Sequence, residues 1–261
     1  MKNLSGVVAV LGIDLAKRVF ALHGVDGAGK TVLKEVVPRS AFNRVIAQLP
    51  PCLIGLEACS GAHEWARQFQ AHGHTVKLIA PAFVTPYRKS GKNDDNDAEA
   101  ICEAVARPNM RFVPVKSADQ QAVLMLHRTR ALLIRQQTML ANAFRAHLAE
   151  LGVVVPQGIR HVRALIERVF GEGAPAIDLP ALARTALRPL VAQLMELRLQ
   201  IKTIEKELLA WHRTSQESRR LETIPGVGFI TATAIAATVT DPSHFRSSRE
   251  FSGLCPRAWC N

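Results

Sequence analysis

Four carboxylates in the first hundred residues have the types and the spacing of a divalent-metal site. Asp14 and Glu57 each end a run of apolar residues, and Asp94 and Asp97 stand three residues apart before a helix-like stretch. Carboxylates gathered at one point repel one another strongly unless cations neutralise them. In phosphodiester chemistry, two metal ions held by such a cluster activate the attacking oxygen and stabilise the leaving oxygen. The pattern therefore predicts a metal site that acts on nucleic acid.

The elements around these acids predict how they could converge. Apolar runs separated by turn signals indicate strands, and amphipathic stretches indicate helices. The predicted strands are 7–13, 19–23, 31–37, 52–57 and 75–79, and the predicted helices are 40–49, 61–72 and 97–105. Strands in hairpin order followed by strand–helix–strand units predict an α/β mixed sheet flanked by helices. An acid at the end of the first strand, with a hairpin beyond it, is the arrangement of the RNase H-like sheet.

Each acidic motif also has an ordinary structural explanation. Acids commonly end strands, and an Asp pair at a helix N-terminus more often caps the helix than binds a metal. The joint order Asp, Glu, Asp-x-x-Asp favours the metal site, because side chains at i and i+3 share one helical face. In the basic segment before that helix, Arg88, Lys89 and Lys92 are predicted to contact DNA phosphates, with a solvated loop as the alternative.

Composition favours a nucleic-acid partner. Among 261 residues, 33 Lys and Arg outnumber 22 Asp and Glu, which gives a net charge of +11, and 48% of the residues are hydrophobic. A positive charge spread along the chain suits a polyanion, although a merely basic soluble protein would share it. The chain shows no membrane-length apolar run, no secretory signal and no zinc pattern among its five cysteines. These features predict a cytoplasmic protein with reduced thiols.

Two long helices are predicted in the middle of the chain. Residues 117–151 contain no Gly or Pro and indicate one helix. A second helix carries an unbroken heptad seam, which predicts a coiled coil or a helical hairpin. Its members are Leu187, Leu190, Leu194, Leu197, Ile201, Ile204, Leu208 and Trp211. A partner chain could share this seam, and an ordinary helix pair within the chain is the alternative.

The segment Ile224-Pro225-Gly226-Val227-Gly228 predicts a helix-hairpin-helix. It lies between two helix-like stretches, and its glycines would let backbone N–H groups approach a DNA phosphate. Gly226, Val227 and Gly228 are therefore candidate DNA-binding residues. A plain turn between helices is the alternative.

Taken together, these motifs resemble the Piv/MooV-type insertion-sequence transposases, family one-hundred-and-ten. The resemblance rests on Gly12-Ile13-Asp14, Gly55-Leu56-Glu57-Ala58, Lys92-Asn93-Asp94-x-x-Asp97-Ala98 and the 224–228 turn. It implies a RuvC-like, RNase H-fold domain at 1–115, a helical coiled-coil region at 116–212 and a C-terminal transposase domain at 213–261. It also implies that Asp14, Glu57, Asp94 and Asp97 are catalytic and bind Mg²⁺ or Mn²⁺.

The same resemblance implies a site-specific DNA recombinase that cleaves and transfers strands. Its members work as homo-oligomers, here a dimer or tetramer through the coiled coil, and studied relatives use a structured guide RNA. One departure concerns the family's nucleophilic serine, which follows a Gly-Leu-x-Pro-Arg segment. Residues 253–257 match that segment, but the sequence ends at Asn261, so we expect the serine-bearing stretch to be missing. The alternatives are a RuvC-like Holliday-junction-type nuclease and a non-catalytic nucleic-acid-binding remnant of a transposase.

Overall fold

The computed structural model describes residues 6–88, 94–156, 158–171, 177–245, 247 and 249, with the backbone alone at 94, 95 and 244. The described chain divides into two compact units. Residues 6–118 and 240–245 form the first unit, and residues 119–239 belong to the second.

A six-stranded mixed sheet forms the centre of the first unit. Its strands are β1 (Val10–Leu15), β2 (Val19–Val25), β3 (Thr31–Pro38), β4 (Leu53–Glu57), β5 (Thr75–Ile79) and β6 (Phe112–Val113). Their order across the sheet is β3-β2-β1-β4-β5-β6. The first three strands pair antiparallel, β4 and β5 join β1 in parallel, and β6 pairs antiparallel at the edge. The mixed sheet predicted from the sequence is confirmed.

Helices cover both faces of this sheet. Helices α1 (Arg39–Ala47) and α2 (Ala62–Ala71) pack on one face, where Phe20, Phe42 and Phe69 are fully buried in the main core. After β5 come the short helix α3 (Pro81–Val84), a 3-10 turn at Thr85–Tyr87 and helix α4 (Asp94–Val105). Helix α4 packs on the opposite face, since Ala100, Ile101, Ala104 and Val105 form a second core with Ile79 and Val84.

The second unit is entirely helical among its described residues. It contains α5 (Ala118–Ala149), α6 (Ile159–Phe170), α7 (Ala181–Thr214), α8 (Gln216–Glu222) and α9 (Phe229–Thr238). No described helix has the length and apolar character that a bilayer crossing requires.

The heptad seam of α7 faces α5 of the same chain. Leu187 and Leu194 share a buried cluster with Phe144 of α5, whereas Leu208 packs with Val123 at the other end. This pairing of late with early residues makes the two helices antiparallel. The Arg130 guanidinium also bonds the Glu205 carboxylate across the pair at 2.7 Å. A helix pair within the chain therefore accounts for the seam, and a coiled coil between chains stays a prediction.

Candidate active site

Asp14 and Glu57 lie at the ends of two neighbouring parallel strands. The last paired residues of β1 and β4 are Ile13 and Leu56, so the two acids directly follow that pair. Side chains alternate between the faces of a strand. Ile13 and Leu56 point into the core beneath α1 and α2, and the two half-buried acids therefore point to the face covered by α4.

Two glycines allow α4 to lie directly on this face. A Cβ atom on Gly12 would overlap the backbone of Ala98 and Cys102, and one on Gly55 would come within 2.8 Å of the Val105 Cβ. Gly12 and Gly55 stand opposite each other in the β1–β4 register, two residues before the acids. The close approach at Ala98 brings the first turn of α4, which begins at Asp94, to the strand ends.

Arg88 joins an acid of the sheet to an acid of α4. Its Nη2 lies 3.1 Å from Oε2 of Glu57, and its Nε lies 3.0 Å from Oδ1 of Asp97. The Glu57 and Asp97 side chains are only 16% and 15% exposed, and that of Arg88 is 36% exposed. One planar guanidinium thus bonds Asp97 of the adjoining helix and Glu57, which lies 31 residues from Arg88 along the chain.

The Asp14 and Glu57 carboxylates both influence the same neighbour, the Cys59 thiol. Burial raises the pKa of the Cys59 thiol, and the negative charges of Glu57 and Asp14 raise it further. The structure therefore brings Asp14, Glu57 and Asp97 to one face of the sheet. The side chain of Asp94 lies outside the described residues, although its backbone begins α4.

The arrangement of these acids suits a hard cation only if Arg88 moves. Among the described side chains, which do not include Asp94, no three Asp, Glu, His or Cys residues are grouped to hold a metal ion. The Arg88 guanidinium bonds both Glu57 and Asp97, and so supplies positive charge where the sequence predicts a metal. Carboxylate oxygens are the ligands that Mg²⁺ and Mn²⁺ prefer. The donor chemistry fits these ions, and the metal-binding roles of the acids stay predictions.

The predicted phosphate contacts are only partly described. Lys89 and Lys92 lie outside the described residues. Arg88 follows the 3-10 turn, where its backbone N–H donates to the Thr85 carbonyl at 3.2 Å, and its side chain is bonded to acids. Sequence reasoning missed this ion-paired role of Arg88. It also missed the packing role of Gly12 and Gly55, for which the signal was a glycine two residues before each strand-end acid.

The 224–228 turn connects α8 to α9. Gly226 adopts the left-handed conformation with φ of 86°, and the Val227 N–H donates to the Ile224 carbonyl at 3.0 Å. Gly228 is the N-cap residue of α9. No described atom lies within 4 Å of a Cβ placed on Gly226 or Gly228, so the surface of the turn is open within the described chain. The DNA contacts of Gly226, Val227 and Gly228 stay predictions.

A serine, a histidine and a glutamate meet in the second unit, a grouping that the sequence did not predict. The His212 Nδ1 lies 2.8 Å from the Ser218 Oγ, and its Nε2 lies 2.9 Å from the Glu222 Oε2. The residue types match a hydrolytic triad, but Ser218 has no exposed surface and His212 is 4% exposed. No substrate can reach this serine, and the network instead fastens α7 to α8.

Two family models match this chain. Residues 11–152 match the DEDD domain of the IS110 transposases, described as "Transposase", and residues 218–258 match "Transposase IS116/IS110/IS902 family". The first match contains both strand-end acids and Asp94 and Asp97 of α4.

Proteins that carry transposase names are similar over nearly the whole chain. The y4pF/y4sB protein of Sinorhizobium fredii is 44% identical over 250 residues, which are 95% of this chain and 64% of that protein. The "Transposase for insertion sequence element IS1328" of Yersinia enterocolitica is 40% identical, over 97% of this chain and 75% of its own. The "Transposase for insertion sequence element IS1111A" of Coxiella burnetii is 36% identical, over 96% and 69%. This chain thus spans just under two thirds of the first relative and somewhat more of the other two.

The comparisons agree with the geometry. A mixed six-stranded sheet flanked by helices is consistent with an RNase H-like transposase domain. With these matches and identities, the chain belongs to the IS110 family of insertion-sequence transposases.

Proposed function

We propose that this chain works as an insertion-sequence transposase, a site-specific DNA recombinase whose RuvC-like unit cleaves DNA strands with divalent metal ions. The observation that carries the proposal is the meeting of Asp14 and Glu57, at two strand ends, with Asp97 in the first turn of α4. Names of the relatives support transposition as the setting.

In this proposal Asp14, Glu57, Asp94 and Asp97 hold Mg²⁺ or Mn²⁺. Bound there, the ions supply charge stabilisation and an activated oxygen for attack on a phosphodiester. The acids are well suited to hold ions in fixed positions. Two of the acids lie on paired strands, and the other two lie on α4, which packs closely against Gly12 and Gly55. In the metal-bound protein Arg88 would bond a phosphate of the bound strand instead of the acids, together with Lys89 and Lys92.

The proposal for this chain concerns the metal-dependent part of the reaction. The serine nucleophile that the family resemblance implies is assigned to no residue of the sequence, and Ser218 is excluded by its complete burial.

The proposed partners are DNA, a structured guide RNA and further copies of the chain. The open surface at Gly226 and Gly228 supports a helix-hairpin-helix contact of Gly226, Val227 and Gly228 with a DNA phosphate. Exposed apolar side chains on α5 and α7 support a homo-oligomer formed through this helix pair. They are Leu132, Met139, Met195 and Leu199.

Cleavage of end-labelled DNA by the purified chain tests the proposal. We expect cleavage of the element's end sequences with Mg²⁺ or Mn²⁺ and none with EDTA. The Asp14→Asn variant should lose activity and keep its fold by circular dichroism, whereas the matched variant Asp178→Asn, at an exposed position of the second unit, should stay active. Undiminished cleavage by Asp14→Asn would exclude the tetrad. Cleavage confined to four-way junctions would instead identify a junction nuclease.

A further inference from the structure

A cleft in the second unit brings four basic side chains together. It has a volume of about 440 Å³ and lies between α5, α6 and α7. Arg160 and Arg163 of α6 and Arg198 and Lys202 of α7 line it, and Gln137 of α5 contributes an amide. No carboxylate is among the described residues that line this cleft.

The packing of α6 explains why these charges converge. Val162, Leu165 and Val169 are buried and attach α6 to the core that contains Leu194 of α7. The arginines at 160 and 163 are one helical turn apart, as are the basic residues at 198 and 202, so each pair shares a helical face. The charged faces of two packed helices therefore border the same opening.

Little negative charge within the described chain offsets this basic cleft. Glu167 bonds Arg163 at 3.1 Å, but their side chains are 60% and 65% exposed, so this ion pair contributes little. The Arg160 Nε–H donates to the Nε2 of the neighbouring His161 at 3.1 Å. Four like charges around one opening repel, and an anion bound among them relieves that repulsion.

The chemistry of the lining selects a phosphate. Guanidinium groups bond phosphate oxygens in a bidentate manner, and a lysine adds a point charge. Ile159 and Ile201 complete the lining and offer apolar surface beside the charges. Such a mixture of cations and apolar surface suits a sugar–phosphate chain better than a lone inorganic anion.

We propose that the cleft at Arg160, Arg163, Arg198 and Lys202 binds the phosphodiester backbone of a nucleic acid. The inference rests on the proposed function, which makes nucleic acid the partner. It assigns a backbone contact to α6 and α7, in addition to those proposed for the acids and for the 224–228 turn. The backbone belongs either to DNA of the element or to a structured RNA.

Binding of fluorescent nucleic acids to the full chain, with EDTA present, tests this assignment. The lining variant is Arg198→Gln with Lys202→Gln. Its matched control is Lys206→Gln with Arg213→Gln, which removes the same charge from exposed positions of the same helix. Each protein is titrated with duplex DNA and with an RNA hairpin at several salt concentrations.

Loss of two phosphate contacts lowers the slope of log affinity against log salt by about 1.8 for duplex DNA. At 0.15 M salt that slope corresponds to a loss of about thirtyfold, or about fifteenfold for a single strand. We expect such a loss for the lining variant and less than about twofold for the control. A loss with one nucleic acid alone supports the proposal and identifies the source of the backbone.

Equal losses in the lining and control variants, or no loss in either, would overturn the proposal. The second lining variant, Arg160→Gln with Arg163→Gln on α6, should show a similar loss, and circular dichroism establishes that each variant keeps its helices. Because binding is measured without metal, a negative cleavage assay would not change the binding result. A negative binding result would likewise not contradict the metal-binding roles proposed for the four acids.

Discussion

Replacement of Arg88 by glutamine should affect the metal-free and the proposed metal-bound forms of the candidate active site in opposite directions. The guanidinium holds Glu57 at 3.1 Å and Asp97 at 3.0 Å, and all three side chains are partly exposed. Ion pairs of this kind each contribute about 0.2–1 kcal/mol. Without metal, Arg88→Gln should therefore lower the free energy of unfolding by about 1 kcal/mol, measured by urea denaturation in EDTA.

The same substitution should strengthen metal binding. If the acids bind a metal as proposed, its entry into the wild-type protein would break both ion pairs at a cost of about 1 kcal/mol, and the glutamine variant would avoid that cost. Since 1.4 kcal/mol corresponds to a factor of ten, the affinity for Mn²⁺ should rise about fivefold. Isothermal titration calorimetry measures this affinity, and the metal-induced rise in melting temperature provides a second readout.

A matched control uses Arg44→Gln, an exposed arginine on α1 at the opposite face of the sheet. Its affinity for Mn²⁺ should equal that of the wild type. An unchanged or weaker affinity in Arg88→Gln would refute the reasoning, because it would mean that Arg88 orders the acids for the metal instead of competing with it. If Arg88 also bonds the DNA phosphate, cleavage by this variant should fall even as metal binding rises.

Two further predictions concern the packing around the site and the half-buried His127. Gly12→Ala places a Cβ against the α4 backbone and should cost about 2 kcal/mol of stability by urea denaturation. Gly27→Ala, which meets no described atom, should cost far less. Burial and the charge of Arg130 lower the pKa of His127 to about 4, so the unfolded chain binds more protons between that value and the ordinary 6.5. Stability should therefore fall from pH 7 to pH 4.5, and His127→Gln should reduce that fall, whereas an equal fall would contradict a neutral His127.

Local patterns made most of the fold predictable. Five of the six strands follow from apolar runs between turns, whereas β6 has only two residues and gave no pattern. The long helices at Ala118–Ala149 and Ala181–Thr214 agree with the Gly- and Pro-free stretch and the heptad seam. The direction in which the seam faces was not predictable, because either α5 or a second chain could cover the same leucines.

The acids of the site were visible in the sequence, but their partners were not. Asp14 and Glu57 are marked by the strands that they end, and that signal is local. The Arg88 ion pairs depend on where a turn after β5 directs one side chain toward residues far along the chain. The His212 network depends likewise on the bend at Ser215, whose side chain caps α8 and sets the direction of Ser218.

The spacing of glycine and acid on two strands shows how packing and chemistry are coupled here. A helix can approach a sheet this closely only where the strands lack side chains. Gly12 and Gly55 provide that place side by side, with the α4 backbone against Gly12 and the Val105 side chain against Gly55. Since residues two apart share a face, an acid two positions later must emerge beside the end of the same helix. The distance between the sheet acids and Asp97 is therefore set by glycine packing. A change at position 12 should disturb Asp97 before it disturbs Asp14, because Asp97 belongs to the helix that would move.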